Sequence, residues 1–380
     1  MNTKHYIILA ATCLFFLSPR VKAQDRDRTP KYSNEFLNIG VGGRALGMGN
    51  SAAASVKDAS ATYWNPAGIS LIDNDIQLYL MHSEYFAGIA KFDYGAVVTK
   101  LDEKNYLGFS MVRFGIDNIP NTLRLIDANG SIDYNRITEF SAVDYSFALS
   151  FSRKLANEKL RLGGSAKVIH RRIGPFATAW GFGLDAGIQY DFAEGWTVGA
   201  MGRDITSTFN AWSFNFTEEE KEVFTATQNE IPVNSSEITL PRINTGIMKD
   251  VKISDKFNML AELGADFTFD GKRNTLVRSD FSSIDLHFGF EVDYNELIFL
   301  RGGVTNFQRT TTNLPSDKDS ATGFQDPREI LTFQPSIGVG FKFQQFALDY
   351  AFTDIGDQSV ALYSHIVSLR IGINRKEEAQ

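Results

Sequence analysis

The chain has 380 residues, a net charge of −7 and a single cysteine. The acidic balance argues against nucleic acid as a partner, because phosphates require a basic face, and the lone cysteine excludes a small disulfide-stapled scaffold. Aromatic residues reach 13% while the mean hydropathy is only −0.17. That combination is unusual for a soluble enzyme and typical of a sheet with one lipid-facing and one wet face.

The N-terminus predicts export. Lys4 precedes an apolar run that ends at Leu17, and Val21-Lys22-Ala23 places small residues where a signal peptidase cuts. The run is too short for a membrane anchor, which needs about 20 apolar residues. We therefore expect residues 1–23 to be a signal peptide cleaved before Gln24, which removes the cysteine and three cations but no acid.

A glycine- and alanine-rich stretch extends from Asn38 to Ser70. Its first part, Gly40 to Ala45, fits the loose dinucleotide pattern G-x-G-x-x-[G/A]. That chemistry needs an apolar strand before the glycines, a helix after them and an acid about 20 residues further on. Here the preceding residues are mostly polar, the next ones stay rich in glycine, and the nearest acid is Asp58. We expect no cofactor.

From Asp75 onward the chain alternates apolar and polar residues, as strands with two different faces do. In "AWGFGLDAGIQYD", large apolar residues alternate with glycine and polar residues. Many segments have nearly the length with which a tilted strand crosses a bilayer, about 9–11 residues. The candidate strands lie near residues 75–82, 91–101, 106–114, 143–153, 160–171, 179–191, 196–204, 242–250, 257–268, 283–294, 297–305, 335–343, 346–353 and 364–374.

A soluble antiparallel sandwich would show the same alternation. Two features favour a membrane barrel: aromatic residues stand at the ends of the apolar face, at Trp180, Tyr190, Tyr294 and Tyr350, and the other face carries small or charged residues. Closure also removes every strand edge, whose unpaired amides lipid cannot satisfy. We predict an all-β fold, a transmembrane antiparallel β-barrel of about 14 strands.

The links between the strands alternate in length. Short turns such as "AEG" and "VKISDK" alternate with links that include residues 115–142, 205–241 and 306–334. Short periplasmic turns and long external loops are the expected asymmetry of an outer-membrane barrel, and an even strand count places both termini on the side of the short turns.

The stretch "GGRALGMGNSAAASVKDASATYWNPAG" resembles the N-terminal signature of the PorV/PorQ family, within the wider FadL-like group of outer-membrane transport proteins. In that group a segment ahead of the first strand folds into the lumen as a hatch and carries an Asn-Pro-Ala motif. The resemblance implies a hatch within residues 24–74, a barrel over 75–380 and the outer membrane of a Gram-negative bacterium. The chain departs from PorV after the motif, with Gly68-Ile69 in place of a lysine and an aromatic residue.

The implied hatch residues suit a plug, because glycine permits tight backbone paths at positive φ and proline fixes the direction of the chain. An ordinary turn asparagine is the alternative role for the motif's first residue. The hatch residues are Gly42, Gly43, Gly47, Gly49, Asn65, Pro66 and Ala67.

No catalytic constellation is present, so we expect no enzyme activity. A polar lumen face is expected at Asp185, Glu262, Asp285, His287 and Glu291. Its charges need partners, which we expect among Arg113, Lys167, Arg203, Arg301, Lys342 and Arg370. A metal site is the weaker interpretation of one strand face, formed by Asp285, His287, Glu291 and Asp293.

The external links carry one further candidate site. Thr217 and Glu220 form a capping box that predicts a short helix. The apolar residues around it are a possible landing place for a ligand or partner, or they pack the loop onto the barrel rim. They are Phe214, Phe216, Val223 and Phe224.

Two functions follow as expectations. The resemblance implies a non-enzymatic accessory subunit of an outer-membrane secretion machine of the type IX kind, with a larger outer-membrane protein as partner. The alternative is a FadL-like passive channel for hydrophobic small molecules. Both place the barrel in contact with outer-membrane lipid.

Overall fold

A computed structural model describes residues 33–85, 88–125, 131–155, 157–312, 328–353 and 364–374. The predicted signal peptide and its cleavage site lie outside the described residues. Within the described ranges, no helix is long and apolar enough to cross a membrane.

Fourteen antiparallel strands close into a ring, because β1 pairs with both β2 and β17. The ring strands are β1 (Ile76–Tyr85), β2 (Ala90–Lys100), β3 (Asn105–Asn121), β4 (Thr138–Leu155), β5 (Leu160–Ile173), β6 (Ala177–Ala193), β7 (Trp196–Arg203), β10 (Arg242–Lys252), β11 (Phe257–Thr268), β13 (Ser283–Tyr294), β14 (Ile298–Thr312), β15 (Arg328–Phe343), β16 (Phe346–Thr353) and β17 (Ser364–Ile373). Each corresponds to a predicted strand, so the prediction of a barrel of about 14 strands is confirmed.

Three additional strands lie within links of the ring: β8 (Thr208–Phe214), β9 (Ser235–Thr239) and β12 (Val277–Arg278). The sequence predicts a link with one short helix over residues 205–241. Instead, β8 pairs with the loop-side half of β6, which β7 leaves unpaired, and β9 pairs with β8. The predicted helix is present at Glu218–Ala226, with both hydrogen bonds of the capping box formed.

Four ring strands run past their predicted ends. β3 and β4 continue as a hairpin beyond a register shift between Ile116 and Ile119, and β14 and β15 do so beyond a shift between Thr305 and Gln308. In each hairpin the extra residue lies on one strand, β3 or β14, and it reverses which residues of that strand face inward. The alternation of β3 and β14 is therefore interrupted at the bulge, whereas that of β15 continues outward through Leu331 and Phe333.

The alternation along the strands sorts side chains between the two faces of the ring. On β6, Trp180 is 59% exposed on the outside, whereas Gln189 is fully buried on the inside. The aromatic residues predicted for the ends of the apolar face all lie outward. An outer surface this apolar is that of a barrel surrounded by lipid.

We expect Leu348→Arg to destabilise the barrel by about 2–4 kcal/mol, the usual cost of a cation near the bilayer midplane on the lipid face. Leu348 is 51% exposed on the outward side of β16, between the outward Phe346 and Tyr350. Denaturant unfolding in lipid vesicles, followed by tryptophan fluorescence, measures the loss. Val233→Arg, at a loop position that is 74% exposed, is the control. Equal losses in the two variants would contradict the placement of Leu348 in lipid.

The interior of the ring is filled by the residues that precede β1. This lumenal segment, residues 33–74, contains two short helices, Gly43–Gly47 and Ala61–Trp64, and two 3-10 helices, Glu35–Asn38 and Pro66–Leu71. Most of its residues are buried, and they form one apolar core with inward side chains of the neighbouring strands.

The two ends of the lumenal segment lie at opposite ends of the barrel. The segment leads into β1 on the side of the short turns, which we call the turn end. Its start lies on the opposite side, the loop end, where the Asn34 amide donates to Thr239 and accepts from Asn210. An even strand count predicts that both termini lie at the turn end. β17 does end there, but the first described residues lie at the loop end.

Candidate functional site

Glycines on the inner wall allow the lumenal segment to come into backbone contact with the strands. At five of them, on β5, β6, β7, β13 and β14, an added Cβ would lie only 2.1–2.3 Å from an atom of the segment. No side chain fits at such distances, so the wall needs glycine for close approach. The five are Gly163, Gly187, Gly199, Gly289 and Gly303.

Glycines within the segment turn its backbone. Gly42 and Gly49 have φ angles of 87° and 61°, in a region that other residues rarely adopt. The N–H of Gly42 donates to the Met81 sulfur at 2.9 Å, and the N–H of Gly49 donates to the Ser336 hydroxyl at 3.0 Å. The Gly43–Gly47 helix between them packs against β15 and β16.

Asn65 ties the segment to the wall and is fully buried. Its amide nitrogen donates to the carbonyls of Ala53 in the segment, Ile188 on β6 and Ala200 on β7, at 2.8, 3.1 and 3.4 Å. Its Oδ1 accepts from the N–H of Ala67 at 3.2 Å. An ordinary turn asparagine would bond only within its own loop, whereas Asn65 also reaches two strands.

Two further wall residues bind the segment's backbone. Glu262 on β11 is fully buried, and its carboxylate accepts from the N–H groups of Ala54 at 2.8 Å and Ser55 at 3.0 Å. Gln189 on β6 donates to the carbonyls of Ala54 and Val56 at 3.2 and 3.1 Å. Buried backbone groups must find partners, and here side chains of the barrel supply them.

A buried charge network fixes the Gly43–Gly47 helix. Arg44 lies 3.0 Å from Glu291, which also binds Arg301 at 2.5 Å, and Arg301 binds Asp349 at 2.7 Å. Burial disfavours the Arg44 cation, but the Glu291 carboxylate outweighs it and holds the pKa of Arg44 above its usual value. Removing one partner of a buried pair leaves an uncompensated charge. Displacement of the segment would separate Arg44 from Glu291, so this network opposes displacement.

A cavity of about 460 Å³ remains above the segment at the loop end, and we call it the loop-end cavity. Its floor is the lumenal segment, including Ile39, Leu46 and Asn50. Its walls include residues at the loop-side limits of the strands, such as Tyr85 at the end of β1 and Arg242 at the start of β10. The volume lies within the range of small-molecule sites, about 300–1,000 Å³.

The predicted lumen residues all lie on the inner side of the wall, but they do not form one cluster. Asp185 pairs with Lys167 at 2.8 Å, Glu262 and Glu291 hold the segment, and His287 lies 3.1 Å from the Ser51 hydroxyl. Asp285 lines the loop-end cavity.

The expected cation partners divide into three groups. Lys167 and Arg301 bind lumen carboxylates as expected. Arg203 and Arg370 contact the lumenal segment, and Lys342 pairs with Glu296 beside a turn. Arg113 was wrongly assigned to the lumen, because its inward neighbour is Val112; Arg113 itself lies on the outer side, 3.1 Å from Asp93.

The weaker metal interpretation gains no support from the geometry. His287 contacts Ser51 and Asp266, Glu291 binds two arginines, and Asp293 accepts from a turn amide. Among the residues that the structure describes, no group of three His, Cys, Asp or Glu side chains is arranged to hold a metal ion.

The external apolar residues form a row of rings at the loop end. Phe216 lies 6.2 Å from Phe214 and 5.1 Å from Phe224, measured between ring centroids. The row continues to Phe176 at 6.0 Å and from there to Phe140 at 5.2 Å, which joins it to the rim of the barrel. Val223 is half-buried on the helix beside them. We call these rings the rim aromatic row.

Several residues that hold the segment were not singled out from the sequence. Arg44, Gln189 and Ser336 each bond across the lumen to a residue more than a hundred positions away. Period-two alternation places Gln189 on the polar face of its strand, which is the one available signal. Nothing in the local sequence marks Arg44.

No family model matches the chain, and no curated protein matches it. The assignment to the PorV/PorQ family therefore stays a prediction.

Solved structures do match over most of the chain. The Ralstonia pickettii toluene transporter TbuX has a TM-score of 0.53 and 14% identity, over 88% of this chain and 99% of TbuX. The Pseudomonas putida toluene transporter TodX has a TM-score of 0.54 and 13% identity, over 88% and 99% of the two chains. The CymD monoaromatic hydrocarbon channel has a TM-score of 0.54 and 14% identity, over 89% of this chain and 98% of CymD. Identities this low establish the architecture alone, and the protein is thus a closed 14-stranded β-barrel with the fold of TbuX, TodX and CymD.

Proposed function

We propose that the protein is a passive outer-membrane channel for small molecules with an apolar body, and that the lumenal segment acts as its hatch. The loop-end cavity carries this proposal, because it is a site of ligand size at one mouth of a lumen that the segment obstructs. The fold shared with transporters and a channel for aromatic hydrocarbons supports it.

Passage requires the hatch to move, since the segment contacts strands around the ring. Its ties to the wall are hydrogen bonds, ion pairs and packing, all of which exchange without breaking covalent bonds. In this proposal a molecule enters the cavity at the loop end, the hatch shifts, and the molecule leaves down its concentration gradient. Nothing in this sequence of events requires catalysis.

Uptake into liposomes tests the proposal. Vesicles that contain the purified protein should accumulate a small aromatic probe faster than vesicles without protein, in proportion to the amount incorporated. Rates equal to those of empty vesicles, for protein that retains the heat-modifiable gel mobility of a folded barrel, would refute the channel.

A second candidate is the accessory subunit of a secretion machine, in line with the resemblance to PorV/PorQ. The exposed apolar residues of the external links favour it, including Tyr134, Val233 and Phe281, each more than 70% exposed. Gentle detergent extraction followed by native sizing separates the two proposals. A large co-migrating partner would support the machine, and migration as a lone barrel would count against it.

The rim aromatic row gives a prediction for the channel. Phe216→Asp and Phe224→Asp should each slow uptake of the aromatic probe, because a carboxylate in a stacked row removes apolar contact and needs hydration. Phe281→Asp is the matched control, since Phe281 is an external phenylalanine that pairs with Phe269 outside the row. Unchanged uptake in the first two variants would show that the row only packs the loop.

A further inference from the structure

The charges around the loop-end cavity are not all neutralised. Arg273 is held by Asp270 at 2.5 Å and by Glu35 at 3.1 Å, and His287 lies 3.3 Å from Asp266. These groups satisfy one another without a ligand.

Two lining groups of opposite sign are less completely paired. Arg242 makes no ion pair or hydrogen bond through its guanidinium with any residue that the structure describes. The Asp285 carboxylate accepts one hydrogen bond, from the Phe307 backbone N–H, but its buried Oδ1 has no hydrogen-bond partner within the described ranges. The backbone positions are two strands apart, because Asp285 pairs with Asp266 on β11, and β11 pairs with β10, which begins at Arg242.

An unpaired charge facing a partly desolvated cavity is costly, and a ligand that pairs with it gains that free energy. A hydrocarbon would desolvate both groups and satisfy neither. An organic anion would satisfy Arg242 alone, and an amine would satisfy Asp285 alone. A ligand that pairs with both groups carries both signs.

The remaining lining indicates the rest of the ligand. Ile39, Leu46 and Pro335 offer apolar contact, while Asn50 and Asn306 offer amide groups. We propose that the loop-end cavity binds a small zwitterion with an apolar body, of the class of an amino acid with an apolar side chain. Its carboxylate faces Arg242 and its ammonium group faces Asp285. The zwitterion is then the substrate class of the proposed channel. Its physiological role as a substrate rests on the proposed function, whereas its binding in the cavity does not.

Four probes with one phenyl body separate the possibilities: phenylalanine, 3-phenylpropanoate, 2-phenylethylamine and ethylbenzene. Affinities are measured by calorimetry on the full chain in detergent micelles. We expect phenylalanine to bind at least about tenfold more tightly than each of the others, since each of the others leaves at least one of the two charged groups without a ligand partner. Ethylbenzene binding as tightly as phenylalanine would overturn the proposal.

Charge-removing variants assign the two groups. Arg242→Gln should weaken phenylalanine and 3-phenylpropanoate but not 2-phenylethylamine, and Asp285→Asn should weaken phenylalanine and 2-phenylethylamine but not 3-phenylpropanoate. Arg278→Gln and Asp255→Asn, which change charges outside the cavity, should leave all four affinities unchanged. Phenylalanine binding that survives both cavity variants in folded protein would refute the site.

Binding and transport fail separately. Tight phenylalanine binding without uptake into liposomes would keep the site and refute the channel. Uptake of an aromatic hydrocarbon without phenylalanine binding would support the channel function and refute zwitterion binding in the loop-end cavity.

Discussion

Gly199→Val should displace the lumenal segment and leave the barrel intact. A Cβ at Gly199 would lie 2.1 Å from the Ala53 carbonyl oxygen and 2.7 Å from the Ala54 Cα, both backbone atoms. Neither can rotate away as a side chain would, so the segment must shift. Overpacking costs about 1–3 kcal/mol, which corresponds to roughly a 5- to 150-fold change in the population of a displaced segment. Single-channel conductance in planar bilayers and protease cleavage within residues 33–74 should both rise.

Gly95→Val is the control for this experiment. Gly95 lies on the outer side of β2, where an added Cβ would meet only the Leu80 side chain at 3.8 Å. Valine is a good strand former on a lipid face, so conductance and cleavage should match those of the wild type. If Gly199→Val behaves like Gly95→Val, the segment does not rest on the wall at this point.

Glu262→Gln should open the lumen by a different route. The Glu262 carboxylate accepts from two successive N–H groups of the segment, and both of its oxygens are used. A glutamine keeps one acceptor but turns an NH₂ donor toward the second N–H. The glutamine NH₂ and the segment N–H are both donors, so one charge-assisted hydrogen bond is lost. The loss should reduce the free energy that holds the segment in place by about 1.5–3 kcal/mol. We expect higher conductance and faster hydrogen exchange at Ala54 and Ser55.

Glu296→Gln provides the matched control, because Glu296 is 79% exposed at a turn and pairs with Lys342 at 3.6 Å. Exposed pairs of this kind contribute about 0–1 kcal/mol. Unaltered exchange at Ala54 and Ser55 in Glu262→Gln would mean that other partners hold this part of the segment.

The strands of the ring could be predicted because their signal is local. Each membrane strand carries its own alternation, and the lipid face makes that alternation strong, as at Trp180 and Phe182. The extensions of β3 and β14 lie beyond bulges that reverse the alternation of these strands, so the local signal stops at the bulge. β8 could not be predicted either, because its place depends on where β7 leaves β6 unpaired.

The site was predictable only as a region. The Asn-Pro-Ala motif indicated that the N-terminal stretch lies inside the barrel, but the contacts of Asn65 reach a strand 123 positions away. The local sequence determines neither the register of the ring strands nor how far the segment extends into the lumen. The loop-end cavity depends on both, so its lining could not be derived from alternation alone.

His287 contacts both the lumenal segment and the cavity wall, since its two ring nitrogens lie 3.1 Å from the Ser51 hydroxyl and 3.3 Å from Asp266. A change in the position of Asp266 would alter the orientation of this imidazole, and with it the hydrogen bond that the imidazole makes to the lumenal segment. If occupancy of the loop-end cavity shifts the segment by this route, displacement of the segment must change the affinity of the cavity by the same factor. His287 therefore joins the wall of the loop-end cavity directly to the lumenal segment.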